Sequence, residues 1–166
     1  VTEPLAPVFK KTMLCARYIA IKHNPALAKN SADAGLKLGV GLSLEQTEAG
    51  NILIGNNREF VGYDQSTTFE AAKEITRYVS RFVPFLKDVH IIRTFAGLRP
   101  YTRDGLPILG PVEDLDGFIM AAGHEGDGIA LAPITGRLIS EYIRTGKTSV
   151  PLSTFRLSRF TEQVSA

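Results

Sequence analysis

Apolar residues recur at steps of three and four between Phe69 and Leu86. Phe69, Ala72, Ile75, Val79, Phe82 and Leu86 form one stripe, and Lys73, Glu74, Arg77 and Arg81 fall to the wet side. The pattern predicts a helix from about Thr68 to Leu86 that covers one face of a sheet. Thr67 and Glu70, three positions apart, form a capping box at its start, and Pro84 shortens its last turn. A second helix is expected from Gly128 to Thr145, with Leu131, Ile134, Leu138, Ile139 and Tyr142 near one face and Gly146 as its stop. Pro133 is read as a first-turn residue, where a missing N–H costs little.

Between these helices the pattern changes to that of strands. Tyr18 to Ile21 is an apolar patch read as a strand, Asn30 to Gly35 a small polar loop, and Leu36 to Leu44 a half-buried strand with alternating apolar positions. Ala49-Gly50-Asn51 then turns the chain into Ile52-Leu53-Ile54-Gly55, and two apolar runs around a Gly-Asn pair predict a β-hairpin. Asn56, Asn57 and Gly62 continue a turn-rich meander. Val89 to Leu98 has β character, Arg99 to Pro107 is dense in turns with Asp104-Gly105 as the tightest, and Phe118 to Ala122 is a candidate buried strand. The tail, Val150 to Ala166, is expected to dock through Phe155, Leu157 and Phe160. The fold class expected from this order is α+β, a predominantly antiparallel or mixed sheet with flanking helices.

The chain has 166 residues, 44% hydrophobic and 22% charged, which suits one globular domain or one part of a larger protein. Its formal charge of +2 is spread singly along the chain, which argues against nucleic acid or an anionic membrane as partner. No apolar stretch approaches the ~20 residues of a membrane span, so the expectation is an unexported, cytoplasmic protein, homo- or hetero-oligomerisation being left open. Cys15, the one cysteine, reads as a small core residue. His23, His90 and His124 share no ligand spacing, so no metal site is expected.

Two phosphate-loop resemblances fail on inspection. Gly39-Val40-Gly41-Leu42-Ser43-Leu44 has leucine where a third glycine belongs and no helical pattern after it, and Gly146-Lys147-Thr148 follows a helix instead of preceding one. Gly123-His124-Glu125-Gly126-Asp127-Gly128 is different, because it carries a strand into a helix. Three glycines in six residues let backbone approach a flat ligand, and the helix start aims N–H groups at the loop. An ordinary glycine-rich turn has the same composition. Arg99, between a strand and Pro100, can serve as a fixed two-pronged donor to a carboxylate or as half of a surface salt bridge.

Phe95-Ala96-Gly97-Leu98-Arg99-Pro100-Tyr101-Thr102-Arg103-Asp104-Gly105-Leu106-Pro107-Ile108-Leu109-Gly110, with Ala121-Ala122-Gly123-His124 and Leu131-Ala132-Pro133-Ile134-Thr135-Gly136, resembles the C-terminal half of the D-amino-acid oxidase family of FAD-dependent oxidoreductases. That family includes glycine and sarcosine oxidases and FAD-dependent amino-acid dehydrogenases. The resemblance is dense from about Arg93 to Gly146 and thinner before Leu86. It implies that Arg99 holds the substrate's α-carboxylate. It also implies that the loop His124, Glu125, Gly126, Asp127, Gly128, Ile129 and Ala130 borders the FAD ring, with hydride passing from the substrate Cα–H to flavin N5. No side chain is assigned a catalytic acid–base role, and the substrate is an amino acid or amine.

Two departures qualify the resemblance. Glycine oxidases place arginine at the position of Gly126 and tyrosine near Ser43, and this sequence has neither, which points to a roomier substrate such as an opine, hydroxyproline or another secondary amine. The family's nucleotide-binding segment, with its G-x-G-x-x-G, has no counterpart here. Residues 1–166 are accordingly expected to be one substrate-binding domain of a longer flavoenzyme, inactive alone, with 106–146 on its FAD side. The competing expectation is an accessory subunit or docking module that kept the sheet and lost the cofactor.

Overall fold

A computed structural model describes residues 1–24, 26–29 and 31–162; Asn30 of the expected loop and the last four positions of the expected docking tail lie outside the described residues. The chain forms two compact units, Val1–Gly97 and Leu98–Ala166. Both combine helices with a small antiparallel sheet, so the fold class is α+β as expected.

In the first unit β1 (Met13–Leu14), β2 (Ser43–Gln46) and β3 (Ile52–Gly55) pair in that order. The expected hairpin is β2–β3, in register Ser43 with Gly55 and Gln46 with Ile52. Leu44 and Ile52 face inward and are buried together with Val40, Leu42, Tyr78, Val79, Val83 and Leu86. Burial of each large aliphatic side chain contributes about 1.5–3 kcal/mol, so this cluster fixes the register. Gln46 ties down the proline-bearing start of the chain. Its Oε1 accepts from the N–H groups of Val8 and Phe9 at 2.8 and 3.1 Å, and its Nε2 donates to the carbonyls of Ala6 and Gly50, both at 3.0 Å.

Several expectations for this unit need correction. Tyr18 to Ile21 belongs to a helix, α1 (Ala16–His23), because a four-residue apolar run is too short for its period to separate strand from helix. A second short helix, α2 (Ala26–Lys29), follows. Leu36 does not begin a strand: it lies in α3 (Ala34–Lys37), started by Asp33, whose Oδ1 accepts from the Leu36 N–H at 2.9 Å. The chain is irregular from there to Ser43. Val89 to Leu98 forms only an isolated bridge, Ile91 with Thr2, since no longer strand lies beside it.

The main helix, α4, spans Phe69–Val79 and is capped by Thr68, whose hydroxyl accepts from the Ala71 N–H at 3.1 Å. Thr67, the expected cap, instead bonds the hydroxyl of Thr94 at 3.0 Å. The chain continues through a turn into a 3-10 segment at Pro84–Asp88, so the helix ends at Val79, earlier than the expected Leu86. Its buried face is rotated from the predicted stripe: Ala71, Glu74, Tyr78 and Val79 are buried, whereas Phe69 is 85% exposed. Glu74 tolerates burial because the Arg77 guanidinium donates two hydrogen bonds to its Oε2, at 2.6 and 2.9 Å. Arg17, 3.2 Å from the Asp33 carboxylate, also lies 4.4 Å from the Tyr78 ring centroid. Cys15 is half-buried at the core's edge, its Sγ accepting from the Leu42 N–H at 3.1 Å.

The second unit is built on a hairpin of β4 (Ile108–Pro111) and β5 (Ile119–Ala122), in register Ile108 with Ala122. Helix α5 (Gly128–Thr145) packs against both strands and ends at Gly146, φ 67°, as expected. Leu109 and Leu138 are buried, but β5 is half to fully exposed and so is not the buried strand anticipated. Pro133 is the sixth residue of α5, beyond the first turn, so the helix forgoes a backbone hydrogen bond there. No helix among the described residues is long and apolar enough to cross a membrane.

Near the chain end, Arg159 begins a short helix, α6 (Arg159–Glu162), and its guanidinium grips the Asp104 carboxylate at 2.6 and 3.1 Å and the Leu106 carbonyl at 2.8 Å. That hydrogen-bonded guanidinium holds the Asp104 carboxyl below the usual aspartate range. A carboxyl with a depressed folded-state pKa stabilises the fold above its unfolded value, about 3.9, and the contribution fades as pH falls through the lower folded value. We expect the Arg159 Nε–H NMR resonance to be constant from neutral pH down to about 5 and to move only below about 4. Asp104→Asn should abolish that acid transition; a transition that persists in the variant would assign it to another carboxyl.

Candidate functional site

Arg99 and the glycine bend both belong to the second unit, and the fold brings them together. Arg99 precedes Pro100, whose ring disfavours helical backbone at the preceding residue. The chain then buries Thr102, 5% exposed, before turning at Asp104-Gly105, where the Gly105 N–H donates to the Thr102 carbonyl at 3.2 Å. From the other side β5 ends at Ala122 and the bend begins. Gly123 has φ +78° and Glu125, a non-glycine residue, has φ +49°. The Asp127 N–H closes a turn on the His124 carbonyl at 3.0 Å, after which α5 starts.

The bend is packed at three points. A Cβ built on Gly123 would lie 2.7 Å from the Thr102 methyl, and one built on Gly126 would lie 2.6 Å from Nη1 of Arg99. The third point is His124, whose Nε2 lies 2.9 Å from the Thr135 hydroxyl on α5. The Arg99 guanidinium therefore rests directly on loop backbone. Gly123 is buried, His124, Glu125 and Gly128 are half-buried, and Gly126, Asp127 and Ala130 are exposed. Ile129 is 95% exposed on the first turn of α5. Leu131 and Ile134 of the predicted apolar face are exposed, as is Ile143, while Thr135 and Leu138 are buried.

Three features make this surface suitable for the ring of a flavin. Glycines at 123, 126 and 128 keep those positions of the bend free of side chains. Helix α5 begins at the bend, so its first backbone N–H groups and the positive end of its dipole lie there. The Thr102 hydroxyl is buried without a hydrogen-bond partner among the described residues, a polar group that ordinarily finds one. A flat, acceptor-edged ring matches a donor-rich surface poor in side chains. No G-x-G-x-x-G joins a strand to a helix in this sequence.

The family model of FAD-dependent oxidoreductases that contains the D-amino-acid oxidases matches residues 6–142. The chain belongs to this family. Relatives within it include the hydrogen cyanide synthase subunit HcnC of Pseudomonas aeruginosa, 37% identical over 123 residues, which are 74% of this chain and 30% of that protein. Glycine oxidase of the same organism is 37% identical over 92 residues, 55% of this chain and 25% of that protein. Among solved structures of the family, L-proline dehydrogenase from P. horikoshii superposes with a TM-score of 0.66 at 36% identity, over 76% of this chain and 34% of that one. The chain thus spans about a third of the length of these relatives.

Thr102 and Thr135 are the participants that sequence reasoning missed. Both lie inside the segments that carry the family resemblance, yet their roles depend on distance: Thr135 is eleven positions from His124 and reaches it only because α5 folds back over the bend.

Proposed function

We propose that this chain is the substrate-binding part of a longer FAD-dependent oxidoreductase that oxidises the C–N bond of an amino acid or a secondary amine. The observation that carries the reading is the Arg99 guanidinium lying against the backbone of Gly126: a group suited to a carboxylate stands at a bend suited to a flat ring. In this reading Arg99 holds the α-carboxylate through parallel N–H donors, and His124 to Ala130 border the ring. When bound, the flavin supplies the two-electron acceptor.

The chain's own contribution is positioning and electrostatics. Arg99 fixes the acid end of the substrate and so limits where its Cα–H can stand. The start of α5 favours negative charge gathering near the bend. The Thr102–Gly123 and His124–Thr135 contacts hold the loop against displacement. In this reading residues 106–146 contribute to the flavin side. A substrate bulkier than glycine is supported by the structural likeness to a protein named for L-proline, a secondary amine. The span of about a third of its relatives supports a longer polypeptide, so residues 1–166 alone should be inactive and should purify without a flavin absorbance band. The unpaired Cys15 agrees with a reducing, cytoplasmic setting.

The test is a substrate panel assayed on the flavin-loaded full-length protein. Secondary amines bearing an α-carboxylate should be oxidised with kcat/KM about 10–100-fold above the same amines without it, the worth of a charge-assisted hydrogen bond. No oxidation of any amine, or equal rates with and without the carboxylate, would overturn the proposal.

A further inference from the structure

We infer that Gly126 is a specificity-determining residue because it forms the seat on which the Arg99 guanidinium rests. The inference deepens the reading above and rests on Arg99 as the carboxylate anchor.

Glycine can be required at a position for backbone conformation or for space, and the two glycines of this bend separate these reasons. Gly123 has φ +78°, which L side chains rarely adopt. Gly126 is not among the positive-φ glycines, so its backbone does not exclude an L side chain such as alanine's. What it lacks is room: its Cβ would lie 2.6 Å from Nη1, 3.3 Å from Cζ and 3.5 Å from Nη2 of Arg99, and these are the three nearest atoms. The obstacle is the end of a long side chain and not backbone. Adding a methyl group therefore moves the guanidinium instead of unfolding the bend.

That displacement has a direction. The guanidinium must retreat from the bend by about 1 Å, and a misplacement of that size costs up to about 100-fold when geometry sets the rate or affinity. The residue at 126 thus sets the spacing between the acid anchor and the loop, and with it the length of substrate that spans the two. With glycine, Arg99 closes on the bend; with any larger residue it stands farther away and suits a different span.

The experiment uses the flavin-loaded protein with acetate as the probe, titrated by flavin absorbance, and thermal unfolding in parallel. Gly126→Ala should weaken acetate binding by about tenfold or more while the unfolding midpoint moves by no more than about 2 °C. Arg99→Lys supplies the reference, and it should weaken acetate by a comparable factor. Adding Gly126→Ala to Arg99→Lys should then change affinity little, since the glycine acts through the guanidinium. Full acetate affinity in Gly126→Ala, with affinity lost in Arg99→Lys, overturns the seat and leaves the anchor intact. Full affinity in Arg99→Lys overturns the anchor and the seat together. A large fall in the unfolding midpoint of Gly126→Ala would show a glycine needed by the fold, and it too would overturn the seat.

Discussion

Arg99→Ala is expected to raise the KM for a carboxylate-bearing amine by about 100-fold while kcat changes by no more than a few-fold. The size follows from the chemistry: a charge-assisted hydrogen bond contributes about 1.5–3 kcal/mol, and each 1.4 kcal/mol is tenfold in affinity. The division between KM and kcat follows from where the interaction acts. The α-carboxylate keeps its charge while the neighbouring Cα–H bond breaks, so Arg99 holds it about equally in ground and transition states and its loss appears chiefly as weaker binding. Stability should hardly change, because Arg99 is only half-buried and rests on loop backbone rather than filling the core. Steady-state kinetics on the flavin-loaded protein, paired with a thermal melt, decide the matter. An unchanged KM removes Arg99 from the substrate site. A fall in kcat with KM preserved would move it from anchoring the acid to the chemical step.

The parts of the molecule legible in the sequence are those bounded by local chemistry. Helix α5 is found at its predicted ends because glycines mark both, Gly128 at the start and Gly146 in left-handed geometry at the stop. The β2–β3 hairpin was readable from Gly50-Asn51 between two apolar runs. Elements decided by distant neighbours were not. Glu70 makes Thr67 the better cap in the sequence, yet Thr68 caps the helix while Thr67 engages Thr94, twenty-seven positions away. Glu74 looks like a solvent-facing residue on the helical pattern, yet Arg77 pairs with it and the Asp33 loop comes within 3.9 Å of that same guanidinium. The site shows the same division. Arg99 and the glycine bend could be singled out by composition and by family resemblance, but their spacing, and the wedge of Thr102 beneath Gly123, follow only from how β4, β5 and α5 pack.

Gly123→Ala is expected to be the most destabilising single methyl in the bend, and the comparison with Gly126 gives that expectation its edge. Two penalties coincide at 123. The residue sits at φ +78°, which costs a residue with a Cβ about 1–2 kcal/mol. Its new methyl would also stand 2.7 Å from the Thr102 methyl, and overpacking of this kind costs about 1–3 kcal/mol. Thr102 cannot swing aside as Arg99 can, because it is 5% exposed and held between the Asp104-Gly105 turn and the bend. The sum, about 3 kcal/mol, corresponds to a fall of about 10 °C in the unfolding midpoint for a chain of this size. Thr102→Ser removes the obstructing methyl and retains the hydroxyl, so combining it with Gly123→Ala should recover the packing part of the loss and leave the conformational part. Calorimetry of the two single variants and the double variant measures both parts. Recovery of the whole loss would mean that the positive φ costs nothing at 123. No recovery would mean that Thr102 is not what the added methyl meets.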